Sequence, residues 1–263
     1  MRVRFLIQPH FRVRPRRFMA QLQETAARTN ARVFSGTHYV DFDGLMVVYG
    51  AGRPETADAV QKHRDRGQRS VCWDVGYWGK GFRLALDGHH PAALPQVSGK
   101  RPAPALREEY DPAGPIILVG MGPKSRHMAQ TWEHDALERI RAVYPDRRVI
   151  FRPKPNRPHP DLPDVEADGV TEIEDLLRGA SLIVCRHSNV GVDACIAGIP
   201  VVAEAGAPAL LYGNDLANPV QPTPDQRRDF LARLAWLNWR DEESMGSSLW
   251  DWIVRYVGAT ALA

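Results

Sequence analysis

Short apolar runs alternate along this chain with segments whose apolar residues recur every three to four positions. Residues 3–7 form a first apolar-biased run and read as a strand. Residues 15–29 read as a helix, with Pro15 at its start and Phe18, Met19, Leu22 and Ala26 on one face. Residues 45–49 are a second buried strand, followed by the Gly50-Ala51-Gly52 turn, a helix over 54–66 and a third strand over 70–73. A βαβαβ beginning of this kind predicts a parallel sheet covered on both faces. A second series starts at residues 116–119. It continues with a helix over 131–144, a strand over 148–152, a short helix over 173–178, a strand over 182–185, a helix over 189–197 and a strand over 200–203. Residues 225–237 and 249–257 read as terminal helices.

Between the two series lies a stretch rich in proline, glycine and charge, Ser98-Gly99-Lys100-Arg101-Pro102-Ala103-Pro104, which reads as a linker. The expected organisation is therefore a Rossmann-like domain over 1–100, a linker over 101–114, a second Rossmann-like domain over 115–247 and a C-terminal helix over 248–263 that packs back on the first domain. Two parallel-sheet domains of this type present a cleft between the carboxyl ends of their strands, where such folds bind ligands.

Composition narrows the class. The chain has 263 residues, 44% hydrophobic and 25% charged, as expected of a globular protein. No apolar run approaches the length of a membrane span, and the apolar core of Met1-Arg2-Val3-Arg4-Phe5-Leu6-Ile7 is too short for a signal peptide. The three cysteines (Cys72, Cys185, Cys195) are irregularly spaced, which argues against a disulfide framework and for the cytoplasm. The net charge of +3 conceals an asymmetry: residues 1–107 carry 18 Lys and Arg against 8 Asp and Glu, whereas residues 108–263 carry 16 against 23. A basic first half suits a polyanionic partner. It is equally the solvated surface of an arginine-rich chain.

The segment from Leu182 to Val202 carries the most chemistry. A buried strand ends at Cys185, and His187, Ser188 and Asn189 lead into a helix that Ser188 or Asn189 can cap. Gly191 lets a ligand approach the first turn, where free N–H groups and the positive end of the helix dipole face an anion such as a diphosphate. Asp193, four residues after Asn189 on the same face, can accept hydrogen bonds from the two hydroxyls of a ribose. Gly198 stops the helix and Pro200 opens the next strand. A plain capped strand–helix–strand unit has the same pattern. Two further segments point to phosphate: the turn Gly120-Met121-Gly122-Pro123-Lys124-Ser125, which presents backbone N–H groups but is not a P-loop, and Arg152-Pro153-Lys154-Pro155, which sets two stiffened cations at a strand's end. Cys185, His187 and Cys195 fit no zinc-site spacing, so no metal site is expected.

The run from Gly120 to Val202 resembles the donor-binding domain of GT-B glycosyltransferases, a superfamily that includes the sugar-nucleotide 2-epimerases. His187-Ser188-Asn189, Gly191, Asp193 and Gly198-Ile199-Pro200-Val201 follow that family's order, with Asp193 where Glu is more usual. A narrower resemblance is to the small bacteriophage enzymes that glycosylate 5-hydroxymethylpyrimidines in DNA. It rests on Trp73-Asp74-Val75-Gly76-Tyr77-Trp78-Gly79, Gly88-His89-His90-Pro91, Gly122-Pro123-Lys124-Ser125, Arg152-Pro153-Lys154-Pro155 and the Trp239…Trp250 tail. These resemblances imply a GT-B-like α/β fold and a nucleotide-sugar donor, UDP-glucose, as co-substrate, with no tightly bound cofactor. They imply a donor site of Gly120, Gly122, Lys124, Ser125, Arg152, Lys154, His187, Ser188, Asn189, Gly191 and Asp193. The implied acceptor is 5-hydroxymethylcytosine or a related hydroxymethylpyrimidine in duplex phage DNA. A capsular or lipid saccharide acceptor, a 2-epimerase and a non-catalytic DNA-binding module are the alternatives.

Transfer to a hydroxyl needs a base. Asp74, at the end of the third strand, is the first candidate, His89 and His90 the second, and His10 the third; Asp74 also suits a cap for the Gly76–Gly79 turn, and His89-His90-Pro91 a simple turn. Tyr77 and Trp78, interleaved with Lys80 and Arg83, suit an unpaired base and its phosphates. Arg12 and Arg14, with Arg16 and Arg17, can track a DNA backbone. Trp236, Trp239, Trp250 and Trp252 are expected in the core.

Overall fold

The computed structural model describes residues 1–8, 12–29, 31–97, 99, 101–122, 125 and 129–260. Contacts divide the chain into unit 1 (Met1–Val97 with Ala235–Ala263) and unit 2 (Ser98–Leu234).

Unit 1 begins with β1 (Arg2–Leu6), α1 (Val13–Arg28), β2 (Arg32–Gly36), β3 (Leu45–Tyr49), α2 (Pro54–Asp65), β4 (Ser70–Val75) and β5 (Gly81–Leu86). Unit 2 contains β6 (Ile116–Val119), α3 (Trp132–Val143), β7 (Val149–Arg152), β8 (Glu166–Ala167), α4 (Ile173–Leu177), β9 (Leu182–Cys185), α5 (Val190–Ala197), β10 (Val201–Ala203), α6 (Ala209–Tyr212) and α7 (Pro224–Leu234). The chain then returns to unit 1 through a 3-10 turn (Ala235–Leu237), β11 (Asn238–Arg240), a second 3-10 segment (Asp241–Met245) and α8 (Ser247–Thr260).

Among the described residues, unit 1 holds a six-stranded sheet of order β11-β5-β4-β3-β1-β2 and unit 2 a five-stranded sheet of order β10-β9-β6-β7-β8. Both are Rossmann-like α/β units, as the alternation of apolar runs and helical periods predicts. All pairings in unit 2 are parallel. In unit 1, β2, β1, β3 and β4 are parallel, while β5 and β11 extend the sheet antiparallel. Neither extension has a readable apolar run: β5 carries Arg83 at its centre, and β11 is three residues long. β2 is an edge strand with a mostly exposed pattern, and it too has no alternating signal.

The cores follow the periodic positions. Phe18, Met19, Leu22 and Ala26 of α1 are all buried. Phe18 meets the Trp73 ring edge-on at 4.9 Å and the Phe82 ring at 4.2 Å, and Phe5 stacks on Trp250 at 6.4 Å. Trp239, Trp250 and Trp252 are buried, and the half-buried Trp236 lies 4.8 Å from Trp252. In unit 2, Ile116, Leu118, Trp132, Ile140, Phe151 and Val184 form one cluster around β6. Gly198 ends α5 at φ +82°, a conformation that favours glycine. The three cysteines are buried, and burial pushes the Cys72 and Cys185 thiols up to about 12 and Cys195 to about 11. Among the described residues no helix is long and apolar enough to cross a membrane.

Two boundaries differ from the sequence reading. Much of the segment read as a linker is built into unit 2: the amides of Arg107 and Glu109 donate to the carbonyls of Ile196 and Ala197, at 2.7 and 2.8 Å. These are the last carbonyls of α5, which have no partner within the helix. The buried Arg227 guanidinium then joins this segment to the helix, donating to Glu108 and to the Cys195 carbonyl. The return to unit 1 begins at Ala235, not at residue 248, because β11 and the 3-10 segment also belong there.

Candidate functional site

The order of the unit 2 sheet creates a switch point. From β6 the chain moves through β7 to β8 on one side, then crosses to β9 and β10 on the other. The loops leaving β6 and β9 therefore lead to opposite sides of the sheet, the place where folds of this kind bind ligands. Val119 is level with both Cys185 and Arg152, so Gly120, Arg186 and Pro153 are the first residues past this edge. Gly120 turns tightly over β7, where a Cβ would lie 3.0 Å from the Phe151 ring and 3.3 Å from Pro153 Cα. A Cβ on Gly122 would stand 3.0 Å from Lys154 Cδ and 3.4 Å from its Nζ, so the lysine lies over this turn. The Ser125 amide donates to the Gly122 carbonyl at 3.0 Å. Ser125 Oγ and His187 Nε2 are 2.8 Å apart, a hydrogen bond that bridges the β6 and β9 loops. Lys124 lies outside the described residues.

Other donor-site residues take roles the sequence did not indicate. A Cβ on Gly191 would stand 2.6 Å from Pro208 Cγ and 3.3 Å from Val201 Cγ1, so this glycine admits the packing of α5 rather than a ligand. Asn189 makes no side-chain cap on α5; Ser188 Oγ instead accepts the Val190 amide at 3.3 Å. Arg152 is 7% exposed and donates to the Asp168 carbonyl at 2.9 Å, which turns it toward the loop after β8. Asp193 is half-buried, and its carboxyl is raised to about 7. Burial is the main cause, and nearby Glu174 adds to it while Arg107 opposes it. Glu133, which the sequence reading passed over, is fully buried in the first turn of α3 and accepts the Met121 amide at 3.0 Å. An acid in a first helical turn is favoured by the helix dipole. That is the one signal in the sequence, and it does not distinguish a buried carboxylate from an exposed one.

Unit 1 gathers a second group at the end of β4. Asp74 and Arg83 face each other across the β4–β5 pair. His89 Nδ1 lies 3.3 Å from Asp74 Oδ2, and an Arg83 terminal nitrogen lies 3.1 Å from His89 Nε2 and 4.0 Å from Asp74 Oδ2. Arginine can only donate, so His89 Nε2 accepts from Arg83. The missing Cβ of Gly52 makes room for the ring, since it would fall 2.8 Å from His89 Cε1. The His90 ring packs edge-on at 4.2 Å. Burial, with Asp74 nearby, raises the Tyr49 phenol to about 12. His10 lies outside the described residues.

Of the residues expected to meet DNA, two are buried. Arg83 is 6% exposed and Tyr77 4%, and the Tyr77 amide is bound to Asn238 Oδ1 at 2.8 Å. Arg14 is taken by Asp241, Nε to Oδ2 at 2.7 Å and the terminal nitrogen to Oδ1 at 2.8 Å, and also donates to the Lys80 carbonyl. Trp78 is half-buried, and Arg12 and Lys80 are exposed. The return of Asp241, Glu242 and Glu243 to unit 1 offsets part of the positive charge that the first half carries along the sequence.

No protein-family model and no curated protein matches the chain. Solved structures similar to it include Thermosulfurimonas dismutans KpsC, beta Kdo 2,4 transferase, at 11% identity over 77% of this chain and 79% of that one, with a TM-score of 0.48. Thermosulfurimonas dismutans KpsC, beta Kdo 2,7 transferase, is 11% identical over 94% and 98% of the two chains, also with a TM-score of 0.48. Spinosyn forosaminyltransferase SpnP is 15% identical over the full length of both, with a TM-score of 0.31. These are distant likenesses.

Chemically, unit 2 offers a hydroxyl, an imidazole and an ammonium around a glycine turn at a switch point, a set suited to an anionic ligand. Unit 1 offers a carboxylate beside an imidazole that a buried cation holds, a set suited to taking a proton.

Proposed function

We propose that the chain is a glycosyltransferase. Unit 2 binds the nucleotide-sugar donor, and unit 1 binds the acceptor and supplies the base. The observation that carries this reading is the Ser125–His187 bridge across the switch point, with Lys154 lying over Gly122 beside it. Lys154 and the Ser125 and His187 side chains meet the diphosphate and stabilise the charge that builds on the leaving nucleotide. Asp193 accepts hydrogen bonds from the ribose. Asp74 takes the proton of the acceptor hydroxyl as its oxygen attacks the anomeric carbon, and His89, held by Arg83, keeps the carboxylate in place. The bond from the anomeric carbon to the nucleotide breaks, and the nucleoside diphosphate leaves.

The donor this reading starts from is UDP-glucose. For the acceptor, the burial of Tyr77 and Arg83 favours a saccharide hydroxyl over duplex DNA, which would need those two side chains at the surface. A radiolabel transfer assay tests both. Purified protein is offered a panel of nucleotide sugars beginning with UDP-glucose, together with saccharide acceptors, a plain duplex and a matched duplex carrying 5-hydroxymethylcytosine. Label on a saccharide supports the reading in full. Label on the modified duplex alone moves the acceptor to DNA, and the absence of both transfer and donor hydrolysis across the panel overturns the glycosyltransferase assignment.

A further inference from the structure

We infer that Glu133 is a positioning residue for the nucleotide: its buried carboxylate sets the glycine turn after β6 by holding the Met121 amide. The inference rests on the reading of that turn as the donor site.

Glu133 has no exposed surface, although its neighbour Asp135 in the same first turn of α3 is exposed. A carboxylate is costly to bury unless hydrogen bonds and local charge hold it. Two sources are visible among the described residues. The Met121 amide donates to its Oε1 at 3.0 Å, and the N-terminal dipole of α3 favours a negative charge at this point. An apolar residue here would pack beside Trp132 and Met121 at no such cost. A buried acid therefore suggests a requirement for the turn rather than for the core.

That requirement is visible in the backbone. Gly120 donates its amide to the Arg152 carbonyl at 2.9 Å, which continues the β6–β7 ladder. Met121 is the first residue beyond that ladder, and its amide goes to Glu133. From there the chain turns through Gly122 to Ser125, whose hydroxyl reaches His187. The carboxylate thus fixes the direction in which the turn leaves the sheet, and so the position of the Ser125 hydroxyl. It also occupies an amide that a phosphate would otherwise use, so the diphosphate is met further along the turn and by Lys154.

The test compares wild type, Glu133→Ala and Glu133→Gln by hydrogen–deuterium exchange and by calorimetric titration with UDP, CDP, GDP and ADP. Glutamine keeps an oxygen acceptor for the Met121 amide. In Glu133→Ala, exchange over residues 120–125 speeds by about tenfold or more, and the dissociation constant of the preferred nucleotide rises by a similar factor, as for loss of one charge-assisted hydrogen bond. Glu133→Gln returns both to within about threefold of wild type, since a neutral acceptor keeps most of the contact. Unchanged exchange of the turn in Glu133→Ala overturns the anchoring. Faster exchange with unchanged affinity overturns the link to the nucleotide. Equal acceleration across 120–125 and 182–185 marks a purely structural role and also overturns the inference. A wild-type protein that binds none of the four nucleotides overturns the donor site itself, and that failure is recognised before any variant is made.

Discussion

Ser125 Oγ and His187 Nε2 form a 2.8 Å hydrogen bond that ties the turn after β6 to the turn after β9. The two residues are far apart in the chain, and each is placed by a strand of the same parallel ladder. Substituting either one removes the bridge. Ser125→Ala and His187→Ala are each expected to lower kcat/KM for sugar transfer by about 10²-fold, the usual cost of one pre-organised donor to a developing charge. The double variant should lose little more than either single one, because neighbours that act through one contact are not additive. Steady-state kinetics of the three variants checks this; fully multiplied losses would show that the two side chains act separately.

Asp74 and His89 face each other at 3.3 Å, and Arg83 lies within 4.0 Å of both. Asp74→Asn is expected to lower kcat by about 10²–10⁴-fold, the range for loss of a general base, and to leave donor affinity unchanged. Arg83→Met removes the cation that holds His89 and should also depress kcat. A comparison of kcat with nucleotide affinity in both variants checks the assignment. Weaker nucleotide binding in Asp74→Asn would contradict the separation of roles between the units.

Asp193 titrates near pH 7 in the folded protein against 3.8 when free. Between those values the folded state binds more protons than the unfolded state, so stability is highest below about pH 4 for this group and falls as pH rises through 7. The difference is on the order of 4 kcal/mol at most. Asp193→Asn should therefore flatten the decline in melting temperature between about pH 4 and about pH 7, the window set by the shift. Ribose hydroxyls donate to the ionised form, so nucleotide affinity should rise with pH through 7 in wild type and stay flat in Asp193→Asn. Melts and calorimetric titrations across that range read both effects, and a pH-independent wild-type affinity would argue against the ribose role.

Gly191 packs under Pro208, where a Cβ would lie 2.6 Å from Cγ. Gly191→Ala is expected to destabilise by about 1–3 kcal/mol through overpacking. Thermal denaturation checks it. A normal melt with lost nucleotide affinity would instead restore Gly191 to direct ligand contact.

The sequence by itself determined the α/β class, most of the parallel strands and the helix faces, because continuous apolar runs and the 3.6-residue period leave their marks in neighbouring residues. It also marked Gly120–Ser125 and His187–Asn189 as strand-end turns. Only the tertiary structure decided which of these turns meet. The order β10-β9-β6-β7-β8 comes from crossover connections, and no local pattern encodes them. The same reason explains the errors over individual residues. Arg83 and Arg14 look alike in sequence, yet one is buried beside Asp74 and the other is held by Asp241 from the far end of the chain. Gly191 and Glu133 owe their roles to Pro208 and Met121, partners that only folding brings into contact. Burial and pairing are properties of that contact, and a residue's type sets only what they will cost.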